Sequence, residues 1–521
     1  MAPKTLITIF LAFSFFKQAI SMSSNSTIKY WCSQTPYPQP CEDLFSHKYP
    51  NKAIKSKSDF FKLSKELALD RCVAARDNLR SLGPKCRNKR EKAAWADCVE
   101  LYHGTVRKLN QTIDPNVKHR RSSDDVQTWL STALTNLDTC RTGFVELGVT
   151  DFVLPLISNN VSMFLSNTLA LNDVGGEFDH QHMSYYKKGF PTWVRHGDRK
   201  LMEASNPQAN VVVAQDGSGQ YTTVSEAISA AGQRSGSGRY VIYVKQGTYK
   251  ENVNVGSGLQ NIMLYGDGIG QTVITGSRSV GGGTTTFNSA TFAVIGDGFI
   301  SRGITFRNTA GASNHQAVAL RSGADLSVFY ECSFEGYQDT LYVHSERQFF
   351  KECNIYGTVD FIFGNSAVVF QNCYLFPRYP PNGINTITAQ GRSDPNQNTG
   401  ISIQSCRVTA ASDLKPVQSS VQTYLGRPWQ RYSRTVFMET FLDSLIAPAG
   451  WFPWNGNFAL ETLYYGEYAN MGPGSSTANR VEWEGYHVIT SAAVASQFTA
   501  GSFIDGKNWL PDTGVPFTSG L

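Results

Sequence analysis

Charged residues are scarce in this sequence: Asp, Glu, Lys and Arg together make up 17% of its 521 residues. With abundant glycine, serine, threonine and asparagine, such a composition suits stacked strands and polar turns better than long surface helices. The basic residues that do cluster, at 85–90 and 118–121, lack interleaved aromatic side chains. We therefore expect more than one domain, a second half that is mostly β, and no nucleic-acid partner.

Long hydrophobic runs are missing after the first few residues. Residues 6–16, LITIFLAFSFF, form an apolar run behind Lys4 and ahead of the small residues Ala19 and Ser21. A bilayer span needs about 20 apolar residues, so a membrane anchor is the weaker alternative. The pattern is typical of a secretory signal peptide over residues 1–21 and predicts a secreted protein. The three N-x-S/T sequons are then expected glycosylation sites: Asn25, Asn110 and Asn160.

Two common hydrolase signatures are absent as well. No serine has glycine at both the −2 and the +2 position, which excludes the G-x-S-x-G elbow of serine esterases. The three histidines after residue 211, His315, His344 and His487, do not show metal-binding spacing. We expect neither a metal nor an organic cofactor.

Four amphipathic blocks between about residues 58 and 173 predict an all-α four-helix bundle with short connections. Cys32 and Cys41 are close enough in sequence for a disulfide that closes a small hairpin before the bundle. A disulfide between Cys98 and Cys140 would link two of the predicted helices.

The run WLSTALTNLDTC, which ends at Cys140, and the early Cys32/Cys41 pair resemble the invertase and pectin methylesterase inhibitor family over roughly residues 24–175. Nothing in this half resembles a catalytic centre. The resemblance implies that residues 22–175 form an inhibitory or chaperoning pro-domain.

Periodicity is lost between residues 176 and 210, which predicts a linker. Proteolysis concentrates in exposed linkers, although a dibasic pair also occurs by chance. The RKLM segment resembles the processing site of plant pectin methylesterases and implies a subtilase-type protease as a partner. The residues of the predicted processing site are Arg199, Lys200, Leu201 and Met202.

Short strand-like segments centred on cysteines repeat in the second half: YECSF at Cys332, KECNI at Cys353, QNCYL at Cys373 and QSCRV at Cys406. The first three are 21 and 20 residues apart, and the fourth follows after 33, as expected if one turn carries a longer loop. A period near 20 with one strand-like core per unit predicts a solenoid. We expect an all-β parallel β-helix over residues 211–521.

Neighbouring turns of such a solenoid lie about 4.8 Å apart, so residues one period apart become neighbours on one face. Asp339 in GYQDTLY and Asp360 in GTVDFIF are 21 residues apart and should be adjacent. The same stacking places Cys353 over Cys373 at a separation that a disulfide can span.

Two carboxylates this close cannot both ionise easily, so we expect one to hold a proton while the other stays charged. This division suits an acid and a nucleophile. The spacing alone also fits an aspartate ladder that bonds its own turns, or a retaining glycosidase, whose carboxyls lie about 5 Å apart.

Six motifs in one order resemble the pectin methylesterase family over essentially residues 211–521: GTYKE, QAVAL, GYQDTLY, YGTVDFIFGN, LGRPW and EYANMGPG. The resemblance implies a right-handed parallel β-helix that hydrolyses methyl esters of homogalacturonan in the cell wall, or apoplast. Methanol would be released and pectate would remain. An inhibitor protein is the other partner that the resemblance implies.

The resemblance also implies roles for the matching residues. Asp360 would attack the ester carbonyl as the nucleophile, and Asp339 would donate a proton and later accept one. The side-chain amides of Gln338 and Gln316 would donate hydrogen bonds to the oxyanion. Arg427 would keep Asp360 ionised. The expected substrate contacts are Thr286, Gln316, Arg427 and Trp429.

Two other functions remain open on sequence grounds. One is a β-helix glycosidase or pectate lyase, and the other is a non-catalytic cell-wall binding protein. A lyase would need a calcium site built from several acidic residues, whereas only two are expected at this site. A binding protein would not require an arginine beside an aspartate pair.

Overall fold

The computed structural model describes residues 24–50, 52, 54–114, 122–157, 160–172, 186–187, 190–191, 208–236 and 238–521. The predicted signal peptide and processing site lie outside the described residues. Within these ranges, no helix has both the length and the apolar character that a bilayer span requires.

Seven helices make up the described part of the first half: α1 (Ser24–Cys32), α2 (Pro38–Lys48), α3 (Lys57–Ser81), α4 (Lys89–Ile113), α5 (Ser123–Glu146), α6 (Val153–Ile157) and α7 (Val161–Leu171). The three long helices begin where a polar side chain accepts a hydrogen bond from the first turn, at Ser56, Asn88 and Ser122. Helices α3 and α5 each pack against both α4 and α7. The predicted four-helix bundle is therefore confirmed.

Two disulfides stabilise this half. Cys32 is bonded to Cys41, which joins α1 to α2. Cys98 is bonded to Cys140, which joins α4 to α5. Of the three sequon asparagines, Asn110 and Asn160 are exposed, and Asn25 lies in α1.

A two-stranded antiparallel ribbon, β1 (Tyr186–Lys187) and β2 (Phe190–Pro191), lies between the halves in sequence. The second half is built from three parallel sheets. Sheet 1 contains β3 (Val211–Val213), β4 (Tyr240–Val244), β7 (Ile262–Gly266), β10 (Ile300–Arg302), β13 (Ser327–Tyr330), β16 (Arg347–Lys351), β19 (Ala367–Gln371), β22 (Gly400–Gln404), β25 (Arg434–Met438), β27 (Tyr464–Tyr468) and β28 (Tyr486–Val488).

Sheet 2 contains β5 (Gly247–Lys250), β8 (Thr272–Gly276), β11 (Thr305–Asn308), β14 (Ser333–Glu335), β17 (Asn354–Gly357), β20 (Tyr374–Pro377), β23 (Arg407–Val408) and β26 (Phe441–Leu442). Sheet 3 contains β6 (Val253–Val255), β9 (Phe292–Val294), β12 (Leu320–Ser322), β15 (Leu341–Val343), β18 (Ile362–Gly364), β21 (Ile384–Gln390) and β24 (Gln422–Gly426). The chain visits sheets 1, 2 and 3 in turn, for example through β13, β14 and β15 and then β16, β17 and β18. This is the predicted parallel β-helix.

Stacked apolar side chains fill the interior of the β-helix. Phe329 stacks on Phe350 with ring centroids 4.7 Å apart, and Phe350 stacks on Phe370 at 4.6 Å. Helix α8 (Val224–Ala231) packs its apolar face on this core. Two short C-terminal helices follow the last strand, α9 (Ala492–Ala495) and α10 (Ala500–Phe503). The aligned strand register makes each interior position repeat from turn to turn.

The disulfide expected between Cys353 and Cys373 is wrong for this structure, because both thiols are free and buried. The two cysteines do occupy the same register on neighbouring turns. Their side chains enter the core side by side, and each thiol donates to a backbone carbonyl instead. Cys353 donates to Phe329 O at 3.3 Å, and Cys373 donates to Phe350 O at 3.6 Å.

The helical bundle packs on the outer face of sheet 3. Alternate side chains of that face, including Ala293, Tyr342 and Phe363, belong to the same buried cluster as the interior of the bundle. Helix α5 contacts the face along its length, from Thr128, which accepts from Asn398, to Glu146, which accepts from the Thr286 N–H. The two halves therefore share one continuous apolar interface.

Candidate active site

Asp339 and Asp360 lie at the entrance to sheet 3, two residues before β15 and β18. Leu341 pairs with Ile362 in the strand register, which aligns the two aspartates on neighbouring turns. Both have left-handed backbone, with φ of +61° and +53°, a conformation that aspartate tolerates better than most residues. Both are buried, at 7% and 4% exposure. The predicted adjacency is present.

Asp360 is held by a cation and by a hydroxyl. Arg427 Nε donates to its Oδ1 at 2.8 Å, and Arg427 Nη2 donates to its Oδ2 at 2.6 Å. Thr386, on the next turn, donates its hydroxyl to Oδ1 at 2.7 Å. A bidentate arginine favours the ionised form of a carboxylate. Arg427 itself is fixed over the ring of Trp454, 4.3 Å from the centroid.

Asp339 has the opposite environment. Burial raises its pKa well above its usual range, the carboxylates of Asp360 and Glu146 raise it further, and Arg427 opposes them. Asp339 therefore keeps a proton at pH values where an ordinary aspartate has lost it. The two carboxyl groups therefore lie in electrostatically different surroundings.

The two predicted oxyanion donors lie beside this pair. Gln338 directly precedes Asp339, and the N–H of Ala317, next to Gln316, donates to Gln338 O at 3.2 Å. The two glutamines are thus on neighbouring turns at the entrance to sheet 3. Both glutamines are partly exposed.

Aromatic side chains form a wall beyond the carboxylates. Tyr342 stacks on Phe363 with centroids 4.2 Å apart. Trp429 meets both rings edge-on, at 6.5 Å from Tyr342 and 6.0 Å from Phe363. Flat aromatic faces next to polar groups suit the apolar faces and hydroxyls of sugar rings.

Thr286 lies under the helical bundle. It is 4% exposed, and its N–H donates to Glu146 Oε2, at the end of α5, at 3.0 Å. Glu146 also contributes to the field at Asp339. A carboxylate of the helical half therefore contacts Thr286 and adds negative charge to the surroundings of Asp339.

Three groups at this site are not predicted by the sequence. Thr386 follows Asp360 by 26 residues, because the intervening turn is longer than the period of about 20. Tyr342 could have been found from its position three residues after Asp339 on an outward-facing strand site. Glu146 carries no local signal, since it is 140 residues from its partner Thr286.

Comparisons with known proteins give a consistent picture of both halves. Residues 210–507 match the family described as Pectinesterase, and residues 26–171 match the family described as Plant invertase/pectin methylesterase inhibitor. Pectinesterase 2 of Citrus sinensis is 63% identical over 521 residues, covering 100% of both chains. Probable pectinesterase/pectinesterase inhibitor 17 of Arabidopsis thaliana is 64% identical over 502 residues, covering 96% of each.

Two solved structures match the β-helix. Pectin methylesterase from carrot is 60% identical with a TM-score of 0.60, and the match covers 61% of this chain and 100% of that one. Pectin methylesterase from Aspergillus niger is 31% identical with a TM-score of 0.51, covering 59% and 96%. The carrot chain is matched over its whole length by about three fifths of this one, so that solved β-helix stands without a helical half.

Proposed function

Because the chain belongs to the pectinesterase family and is a pectin methylesterase with an inhibitor-like N-terminal domain, we propose that Asp360 is its nucleophile and Asp339 its acid and base. The observation that carries this assignment is the asymmetry of the pair. Arg427 donates two hydrogen bonds to the carboxylate of Asp360. Asp339, in contrast, is buried, and the negative charges of Asp360 and Glu146 raise its pKa.

In the first half of the reaction, a carboxylate oxygen of Asp360 attacks the ester carbonyl carbon and forms a tetrahedral oxyanion. The amides of Gln338 and Gln316 donate hydrogen bonds to that oxygen. When the intermediate collapses, the C–O bond to the methoxy group breaks, and the methoxy oxygen takes the proton of Asp339. Methanol leaves, and the galacturonate acyl group remains on Asp360.

In the second half, water attacks the acyl carbon and gives its proton to the Asp339 carboxylate. Collapse of the second tetrahedral species breaks the bond to Asp360 and restores its carboxylate. The polymer leaves with a carboxylic acid group, which loses its proton to the solvent and becomes a carboxylate. Both aspartates return to their starting protonation states, so the cycle needs no further reactant besides water.

The helical half acts as a pro-domain that covers this site. Helix α5 lies on the outer face of sheet 3, where Glu146 accepts a hydrogen bond from the Thr286 N–H and its charge raises the pKa of Asp339. A polymer cannot lie on the same face while α5 is there. Cleavage at Arg199–Met202 by a subtilase-type protease, on the secretory route to the cell wall, would allow the pro-domain to leave. Homogalacturonan and a separate inhibitor protein then compete for the uncovered face.

An assay of two products tests this function. The full-length chain and the β-helix freed from its helical half are incubated with methyl-esterified pectin, and methanol and polymer length are both measured. We expect the freed β-helix to release methanol with no shortening of the polymer, and the full-length chain to be much less active. Shortening of the polymer would indicate a glycosidase or lyase instead, and binding without either product would indicate a non-catalytic wall protein.

The processing step has a separate test. In plant cells that secrete the protein, Arg199→Ala with Lys200→Ala should leave a full-length form that is retained before the wall or has low activity. A secreted wild type whose N-terminus lies near residue 22 would rule out processing at this site. A full-length double variant that reaches the wall and is as active as the processed enzyme would show that the cleavage is not required.

A further inference from the structure

Arg321 lies on β12, in the middle of the face that the pro-domain covers. Its strand neighbours are Ala293 of β9 and Tyr342 of β15, which also face outward from sheet 3. Tyr342 is three residues beyond Asp339, a distance of about 10 Å at the usual strand rise. Arg321 therefore belongs to the same groove as the reacting pair.

The guanidinium of Arg321 is buried without adequate partners. The side chain is 1% exposed, and its Nε and Nη1 are buried with no hydrogen-bond partner. Its Nη2 is 3.6 Å from Glu100 Oε1 of α4, too long for a good hydrogen bond. Buried polar groups are normally satisfied, because an unmet donor costs free energy. This arginine is an exception that calls for an explanation.

Other buried arginines of the β-helix show what a satisfied site looks like. Arg347 donates to both carboxylate oxygens of Asp325, at 3.0 and 2.8 Å. Arg480 donates to both oxygens of Glu467, at 2.8 and 3.1 Å. Each has an acidic partner within the β-helix itself, whereas the acid closest to Arg321 comes from the pro-domain.

An aromatic ring and a small cavity lie next to the guanidinium group of Arg321. The guanidinium lies over the ring of Phe287, with its Cζ 3.4 Å from the ring centroid. Phe287 follows Thr286, a predicted substrate contact. A cavity of about 30 Å³ next to Arg321 is walled by α4 and α5 on one side and by the β-helix on the other. Departure of the pro-domain therefore opens this cavity and exposes an arginine that already packs on Phe287.

We propose that Arg321 forms a subsite for a free galacturonate carboxylate on the polymer, next to the unit being demethylated. A carboxylate matches the planar fork in a bidentate pair, which a methyl ester cannot do. In the full-length chain, the carboxylate of Glu100 occupies the position next to Arg321 at which the galacturonate carboxylate would bind. The subsite rests on the proposed function, and it makes the enzyme favour esters that lie near acids already set free.

The test compares two polymers with the freed β-helix. Methanol release is measured on fully methyl-esterified and on partly de-esterified homogalacturonan, for the wild type, Arg321→Gln and Arg321→Lys. We expect the wild type to have a lower KM on the partly de-esterified polymer. Arg321→Gln should raise that KM about tenfold, with little change in kcat and little change on the fully esterified polymer. Arg321→Lys, which keeps the charge but loses the fork, should be intermediate.

Arg302→Gln is the matched control, because Arg302 on β10 of sheet 1 forms an ion pair with Glu331 outside the groove. It should leave both KM values unchanged. Equal effects of Arg321→Gln on both polymers, or a wild type with equal KM values on both, would overturn the subsite. The comparison of the two wild-type KM values needs no variant, so it tests the subsite even if Arg321→Gln does not fold. Absence of methanol release by the wild type would instead refute the proposed function.

Discussion

At the scale of single residues, the proposed mechanism depends on two aspartates that lie in different surroundings. Asp360 accepts two hydrogen bonds from Arg427 and one from the hydroxyl of Thr386. Asp339 is buried, and negative charges near it raise its pKa. The backbone brings the two together because of the repeat, but it does not distinguish them. Side chains from other turns, Arg427 and Thr386, distinguish Asp360 from Asp339 and support the proposed roles.

Removal of Arg427 should therefore change the pH dependence of the reaction. Arg427 opposes the raised pKa of Asp339. In Arg427→Ala that pKa should rise further, so the alkaline limb of the pH–activity profile, where Asp339 loses its proton, should move to higher pH. Arg427→Lys should rescue poorly, because a point charge lacks the planar fork.

Arg407→Ala is a suitable control for that experiment. Arg407 stacks on Phe441 at 3.9 Å, as Arg427 stacks on Trp454, but it lies on sheet 2. Its loss should not alter the profile. If the profile of Arg427→Ala had the same shape as that of the wild type, Arg427 would serve substrate binding alone.

At the scale of elements, the sequence predicts what repeats locally. The cysteine-centred period predicts the turns of the β-helix, and the 21-residue interval predicts the adjacency of Asp339 and Asp360. The disulfides in the helical half were also predictable from spacing and helix pattern. The Cys353–Cys373 bridge was not, because register alone does not tell whether two stacked thiols face each other or the backbone.

Contacts between remote segments are the part that sequence patterns miss. Thr386 reaches Asp360 across a turn lengthened by a loop, and Glu146 and Glu100 reach the β-helix across more than a hundred residues. No periodicity connects such positions. The signal peptide, the processing site and the domain boundaries stay predictions.

Loss of the disulfide that joins α4 to α5 should destabilise the helical half more than loss of the one that joins α1 to α2. The chain-entropy relation gives about 4 kcal/mol for the Cys98–Cys140 separation of 42 residues, and about 2.6 kcal/mol for the Cys32–Cys41 separation of 9. Thermal unfolding of Cys98→Ala with Cys140→Ala, beside Cys32→Ala with Cys41→Ala, measures the difference. An equal or reversed order would contradict this explanation.

At the scale of the whole molecule, the interface between the halves contains buried carboxylates. Burial raises the pKa of Asp97 to about 7 and that of Asp138 to about 6, and it also raises the pKa of Glu146. Each of these side chains, from α4 or α5, contacts the β-helix, for example Asp138 through Ser393 at 2.6 Å. The docked form therefore holds protons that the separated halves release.

Docking of the pro-domain should accordingly weaken as pH rises. A carboxyl group with a raised pKa stabilises docking fully below its ordinary pKa of about 4 and loses that contribution as pH rises through its docked value. In a chain cut within the linker, we expect the halves to remain associated at pH 5 and to bind at least tenfold more weakly at pH 8. Gel filtration or titration calorimetry measures this. Asp97→Asn with Asp138→Asn should reduce the pH dependence, and tighter binding at pH 8 would contradict the assignment.

The most direct test of the account is methanol release by the freed β-helix carrying Asp360→Asn. The amide is nearly isosteric, so the fold should persist by circular dichroism, but it cannot supply the carboxylate nucleophile. We predict no measurable turnover above the uncatalysed rate on methyl-esterified pectin, beside a fully active wild type. Substantial methanol release by the folded Asp360→Asn protein would contradict the mechanism.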